Sequence, residues 1–332
     1  MRPMSGRFPA VAITVLSTLS AANAGVGFDV VVLGARGGIE DGNLSAFMVA
    51  PAGDNRAVTC DAGSLVNGLR VADAKGAFDA VEVPADSPYT RIGYVLTETI
   101  KGYLVSHAHM DHVAGIVIAS PDDSKKPIYG LPSVTAAIQD TYFNWQAWPN
   151  FAFGGKAPQL KKYALTDLTP GEQRMLDGTA MEVTAFPLSH GGTESTAFLI
   201  ESGDDALLCF GDTGPDEVEK STRMRDLWAA VAKRAKAGHL KAIIIEVSYT
   251  NAQPDEYLFG HLTPEWLQKS LAELEALAGA GSLKDLPIIV SHVKYSLKKG
   301  MQPTEAILGE LEAGNTLGVR YIMPEQGMSF RF

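Results

Sequence analysis

Between Ser106 and Ser120 the chain reads SHAHMDHVAGIVIAS, which places three histidines and one aspartate within the span His107 to His112. Four such groups left without a ligand in one loop would repel or desolvate one another, and a bound cation would turn that conflict into coordination. Imidazole and carboxylate donors together suit zinc, and two zinc ions could share them. One motif cannot complete two coordination spheres. Further candidates stand at the ends of apolar runs: His190 after MEVTAFPLS, Asp212 after ALLCFG and His292 after PIIVS. Read alone, each has a plain structural alternative, and Asp212 in FGDTGPD could simply open a turn. Read with the first motif, they point to metal ligation, because ligands at the ends of several strands can converge on one edge of a sheet.

The elements that must position these residues are short β-branched or apolar runs. They fall at 28–34, 46–50, 57–60, 102–106, 181–186, 196–202, 206–210, 242–248 and 287–291, and most read as strands. His107 then starts the loop after the strand at 102–106, and GIVIAS marks a helix just beyond Asp111 and His112. The clearest helix starts at Thr263, where Thr-Pro-Glu supplies an N-cap, an N1 proline and a first-turn acid, and Gly279 stops it. Segments 132–142, 216–237 and 303–313 also read as helical. Strands in both halves with interspersed helices imply an α/β sandwich.

The chain of 332 residues is 46% hydrophobic and 20% charged, the composition of a globular protein with a substantial core. Arg2 and Arg7 precede the apolar run PAVAITVLSTLS, which leads to Ala22-Asn23-Ala24, the pattern of a secretory signal peptide cleaved after Ala24. The run is too short to span a bilayer. We therefore expect residues 1–24 to be a signal peptide and 25–332 to form one domain, periplasmic or secreted, with no membrane attachment in the mature form. Removal of the leader takes away two arginines and no acids, so the net charge goes from -10 to -12. An acidic surface disfavours nucleic-acid polymers and still admits a small anion where a metal supplies positive charge. Export would allow Cys60 and Cys209 to pair, yet AVTC and ALLCF are apolar runs that favour two buried thiols.

HAHMDH followed by His190, Asp212 and His292 resembles the metallo-β-lactamase superfamily, whose fold is an αββα sandwich of two mixed sheets packed face to face with helices outside. The resemblance extends from LGARGG (33–38) onward. It implies that His107, His109 and His190 hold one metal, that Asp111, His112 and His292 hold the other, and that Asp212 bridges them. Asp61 in TCDAGS matches a strand-end aspartate that supports the metal histidines, and it reads equally well as a turn-former before Gly63. The zinc β-lactamases of this superfamily carry cysteine at the bridging position. Here it is Asp212, with Cys209 three residues away, which points away from lactam hydrolysis.

HAHMDHVAGIVIASP resembles the signature of class II 3′,5′-cyclic-nucleotide phosphodiesterases, with Met110 where leucine is usual. FNWQAWPNF (143–151) and EYLFGHLTPEWL (256–267) resemble blocks of the same class. The implied activity is hydrolysis of cyclic AMP, with cyclic GMP left open, to the 5′-monophosphate. Two cations about 3.5–4 Å apart can activate a bridging water and stabilise both the attacking and the leaving oxygens. His261 in GHLTP matches a tRNase Z histidine that protonates the leaving oxygen, and Glu246 could orient it; a capping histidine and a surface glutamate are the plain alternatives. Phe143, Trp145, Trp148 and Phe151 offer surfaces for a base, though such clusters are more often core or dimer interface. A homodimer is left open. Other hydrolases of the fold, acting on thioesters, lactones or other phosphodiesters, share the metal set, and a non-catalytic nucleotide binder would need neither Asp111 nor a proton donor.

Overall fold

The computed structural model describes residues 27–332, so the leader expected at 1–24 lies outside the described residues. Among the described residues no helix is long and apolar enough to cross a membrane. Two seven-stranded mixed sheets form the centre of the molecule. In the first, Phe28–Gly34, Ala46–Pro51 and Ala57–Cys60 run antiparallel, and Ile100–Leu104, Lys126–Gly130 and Tyr163–Asp167 continue in parallel from Ala57–Cys60. The second repeats this plan. Glu182–His190, Thr193–Ser202 and Asp205–Phe210 are antiparallel, and Leu240–Glu246, Pro287–Ser291 and Arg320–Ile322 follow in parallel.

The apolar runs are continuous because the strands are covered on both faces. Side chains alternate across a strand, and along Asp205–Phe210 this alternation separates two cores. Leu207 and Cys209 join the core between the sheets, with Val183, Phe198 and Ile244. Leu208 and Phe210 face the other way, into a core with Leu227, Trp228 and Val231 of helix Arg223–Lys236 and Leu267, Leu271 and Leu274 of helix Pro264–Ala278. Trp228, fully buried, donates its indole N–H to Ser270 at 2.7 Å and so joins these two helices. Leu69 of helix Val66–Ala74 and Val113 and Ile116 of helix Met110–Ala119 pack with the first sheet. The layers are therefore helix, sheet, sheet, helix, the αββα sandwich anticipated from the strand and helix pattern. Burying each such leucine, isoleucine or valine is worth roughly 1.5–3 kcal/mol. Cys60 and Cys209 are buried free thiols.

Local departures from the sequence reading have physical causes. The run expected to stop at residue 186 continues through Pro187 to His190. Proline is tolerated there because the neighbouring strand Gln173–Met175 pairs only with Glu182, Val183 and Thr184, leaving the far side of Pro187 without a ladder to break. The helix expected over 216–237 is two helices, Asp216–Glu219 and Arg223–Lys236, separated where Lys220 adopts a left-handed backbone. The strand expected at 102–106 runs Ile100–Leu104, which leaves Val105 and Ser106 as connection to the histidine motif.

Candidate metal centre

Parallel strands end at the same edge, and this puts the chemistry in one place. Asp61 follows Ala57–Cys60, His107 follows Ile100–Leu104, His190 ends its own strand, Asp212 follows Asp205–Phe210, Glu246 ends Leu240–Glu246 and His292 follows Pro287–Ser291. His109 occupies the extended position just before helix Met110–Ala119, whose first turn carries Asp111 and His112. Tyr142 donates to the Ala108 carbonyl at 2.8 Å and pins the loop between the first two histidines. All seven residues singled out as ligands come together here.

One group is made of His107, His109 and His190. His107 Nε2 lies 3.0 Å from His109 Nδ1, which lies 3.3 Å from His190 Nε2. The other ring nitrogens of His107 and His190 are already engaged: His107 Nδ1 is 3.0 Å from Ser106 Oγ, and His190 Nδ1 donates to the Gly260 carbonyl at 2.7 Å. Burial holds the pKa of His107, His109 and His190 below the ordinary value, which favours neutral rings able to offer a nitrogen to a metal. Ligands about 2.0–2.1 Å from a tetrahedral zinc stand roughly 3.3 Å apart, so this spacing fits a cation.

The second group is Asp111, His112 and His292. His292 Nε2 is 3.2 Å from both Asp111 Oδ2 and Asp212 Oδ2, and His112 Nε2 is 3.3 Å from Asp212 Oδ1. His112 Nε2 is one of the few buried side-chain atoms among the described residues without a hydrogen-bond partner. A buried, unpaired ring nitrogen aimed at two carboxylates is a cost that a metal would remove. Asp212 also faces the first group, with Oδ2 at 3.9 Å from His107 Nε2 and 3.8 Å from His190 Nε2. Its carboxyl sits well below the usual range: burial opposes ionisation, and the charges of His292 and His112 outweigh it. Asp111 is depressed likewise, by the His292 hydrogen bond and His112 against the cost of burial. For His112 the balance runs the other way, since Asp212 and Asp61 overcome burial and hold its pKa well above the ordinary value. A metal at His112 would have to displace that proton.

Of the two readings open for Asp61, the supporting carboxylate describes the contacts. Its Oδ2 binds His112 Nδ1 at 2.7 Å and Ser106 Oγ at 2.9 Å, and its Oδ1 accepts from the Ser106 N–H at 2.8 Å. Asp61 and His292 both sit in the left-handed region, φ 52° and 57°, local strain of the kind that clusters at functional sites. His292 packs flat against Gly37, where any Cβ would enter the imidazole ring. The next residue, Gly38, donates its N–H to Asp111 Oδ2 at 2.9 Å.

His261 and Glu246 are buried beside this centre. His261 Nδ1 is 2.9 Å from Glu246 Oε1 and 3.8 Å from Asp212 Oδ2. Glu246 is fixed by the Thr213 N–H at 2.8 Å and Ser248 Oγ at 2.7 Å. Burial works against a charged His261, yet Glu246 and Asp212 hold its pKa above the ordinary value. His239 is remote, at the end of helix Arg223–Lys236 near Asp205.

Three contributors escaped the sequence reading. Ser248 Oγ lies 2.9 Å from His292 Nδ1 and 3.2 Å from His261 Nδ1, and thus ties the second group to the Glu246–His261 pair. Lys294 Nζ lies 2.8 Å from His261 Nε2, and Tyr249 accepts from the same ammonium at 3.2 Å. Their only mark in the sequence is proximity: Ser248 and Tyr249 follow Glu246 by two and three residues, and Lys294 follows His292 by two. Most of the aromatic block resolves toward packing, and Trp145 stays exposed. Phe143 and Phe151 are buried and in edge contact at 6.3 Å, Trp148 donates to Ser120 Oγ and Trp145 to the Pro158 carbonyl.

Residues 29–327 match the family described as cAMP phosphodiesterases class-II. The chain is 52% identical over 324 residues to the 3′,5′-cyclic-nucleotide phosphodiesterase of Aliivibrio fischeri, covering 97% of this chain and 98% of that one. It superimposes on the crystal structure of unliganded yeast PDE1 with a TM-score of 0.80 at 26% identity, covering 92% of this chain and all of the other. The metallo-β-lactamase fold protein YhfI from Bacillus subtilis, at 16% identity and a TM-score of 0.60 over 93% of this chain and all of the other, shares the fold. The chain belongs to the class II cyclic-AMP phosphodiesterase family and has the metallo-β-lactamase fold.

Proposed function

We propose that the protein hydrolyses 3′,5′-cyclic AMP to 5′-AMP with the help of two divalent metal ions, most simply zinc, in the periplasm or outside the cell. The observation that carries this reading is the convergence of two donor groups on Asp212, the first all nitrogen and the second mixed. His107, His109 and His190 would hold one ion, Asp111, His112 and His292 the other, and Asp212 would face both. When bound, the pair would activate water and neutralise the anionic phosphate. The chain's own residues do the rest. Ser106, Asp61, Gly260 and Ser248 fix the rings so that their free nitrogens point inward. Asp111, kept ionised and held by Gly38, can take a proton from attacking water. His261, oriented by Glu246, is placed to serve the oxygen that departs when the P–O3′ bond breaks.

Purified protein incubated with cyclic AMP, with the products separated by chromatography, should yield 5′-AMP. Appearance of 3′-AMP, or no turnover with metal fully loaded, would refute the reading. His109→Ala should lose metal and activity together, whereas His261→Ala should keep its metal and lose rate.

A further inference from the structure

His261 does not face the substrate side alone. Lys294 sits on its outward nitrogen, with Nζ 2.8 Å from Nε2, and the same ammonium donates to Tyr249 at 3.2 Å while lying 5.0 Å over that ring. Lys294 follows the ligand-bearing His292 by two residues and ends the short strand Val293–Lys294, which pairs with Arg36–Gly37. Two nitrogens 2.8 Å apart hold a single hydrogen between them. An ammonium has three N–H groups and no acceptor, and His261 and Tyr249 engage two of them, which leaves one for a further acceptor. His261 Nδ1, meanwhile, is turned inward to Glu246.

We propose that Lys294 contacts the substrate, presenting its remaining N–H to the departing 3′-oxygen of the cyclic phosphodiester. Water oxygen bonds to phosphorus and the P–O3′ bond breaks with its electron pair on the 3′-oxygen. That oxygen takes a hydrogen from the Lys294–His261 pair, Asp111 takes the proton shed by the attacking water, and proton exchange with solvent after product release returns both to their starting states. Charge that develops on an alkoxide in a site closed to bulk water is stabilised strongly by a fixed donor, typically by 10²–10³-fold in rate for each donor. The proposal rests on the hydrolytic reading above and gives its acid a second member.

The test compares the metal-loaded full chain with Lys294→Met and Lys294→Arg on two substrates, cyclic AMP and bis(4-nitrophenyl) phosphate, with bound metal measured by mass spectrometry. Nitrophenolate departs as a stable anion and needs no donor. The expected result is a loss of about 100-fold in kcat for cyclic AMP in Lys294→Met, with little loss on the aryl diester, unchanged metal content and partial recovery in Lys294→Arg. Equal losses on both substrates, loss of metal, or undiminished turnover of cyclic AMP would overturn the role of Lys294 and leave the hydrolytic reading standing. A wild-type protein that leaves cyclic AMP intact overturns both.

Discussion

Among the described residues, two buried clusters of ionisable side chains are built on opposite plans. In the first sheet, Asp123 is surrounded: its Oδ2 accepts from the Tyr103 and Tyr163 hydroxyls at 2.5 and 2.8 Å, and its Oδ1 accepts from the Ser124 N–H at 2.7 Å and pairs with Lys126 Nζ at 2.8 Å. Lys126 also donates to the Leu96 carbonyl at 2.5 Å and lies 5.3 Å over the Tyr103 ring. Every oxygen of the Asp123 carboxylate is met by a donor, and positive charge matches negative. At the strand ends, imidazole nitrogens meet one another at 3.0 and 3.3 Å and His112 Nε2 has no hydrogen-bond partner. A closed network is structure, and an open one of this composition is a place prepared for a ligand.

The largest expected effect comes from taking the shared carboxylate out of the open cluster. Asp212→Ala should lose turnover by on the order of 10³-fold or more, since several kcal/mol of transition-state stabilisation by the ions depend on holding both. The closed cluster should behave oppositely. Asp123→Ala leaves Lys126 buried without its counter-charge and should cost about 3–5 kcal/mol in denaturant unfolding while kcat per folded molecule is unchanged. The double change Asp123→Leu with Lys126→Met should be milder than the single, and a double variant as damaged as the single would deny that the network is self-contained.

Legibility followed the same division. The open cluster could be read because its residues are rare types at strand ends, where a histidine or aspartate interrupts an apolar run. The closed cluster gave no such signal, since Asp123, Lys126, Tyr103 and Tyr163 are common types that meet only through the parallel pairing of three strands. Two of those strands, Lys126–Gly130 and Tyr163–Asp167, were themselves missed: the first is short and carries a lysine and a proline, and the second is a half-exposed edge. Ser248 and Lys294 were missed for a related reason, because a serine or lysine announces a role only once its neighbours are in place. The layered fold was legible from the doubly covered apolar runs, and the two-residue strands were too short to leave a pattern.

Asp61 lies between the two extremes, a structural carboxylate that acts on the open cluster. Asp61→Ala should reduce metal affinity by about 10–100-fold, measured by competition with a chelator, with the fold retained. The smallest effect belongs to the exposed pair of Asp29 with Arg331, which ties the final strand Ser329–Arg331 to Phe28–Gly34 at 2.6 and 2.7 Å. Burial opposes ionisation of Asp29, and Arg331 nevertheless holds its pKa below the ordinary value. The pair's contribution is therefore present above the unfolded carboxylate pKa and fades as pH falls through the lower folded one. Arg331→Ala should leave the midpoint almost unchanged at neutral pH, and any difference from wild type should vanish in strong acid.

The central claim is that the open cluster is one site for two ions acting together. Metal-stripped protein titrated with zinc, with cyclic AMP turnover and bound metal followed in the same samples, tests it most directly. Activity that climbs until two equivalents are bound per chain, and then levels, is the expected result. Full activity at one equivalent, or metal bound at two with cyclic AMP untouched, would contradict the account.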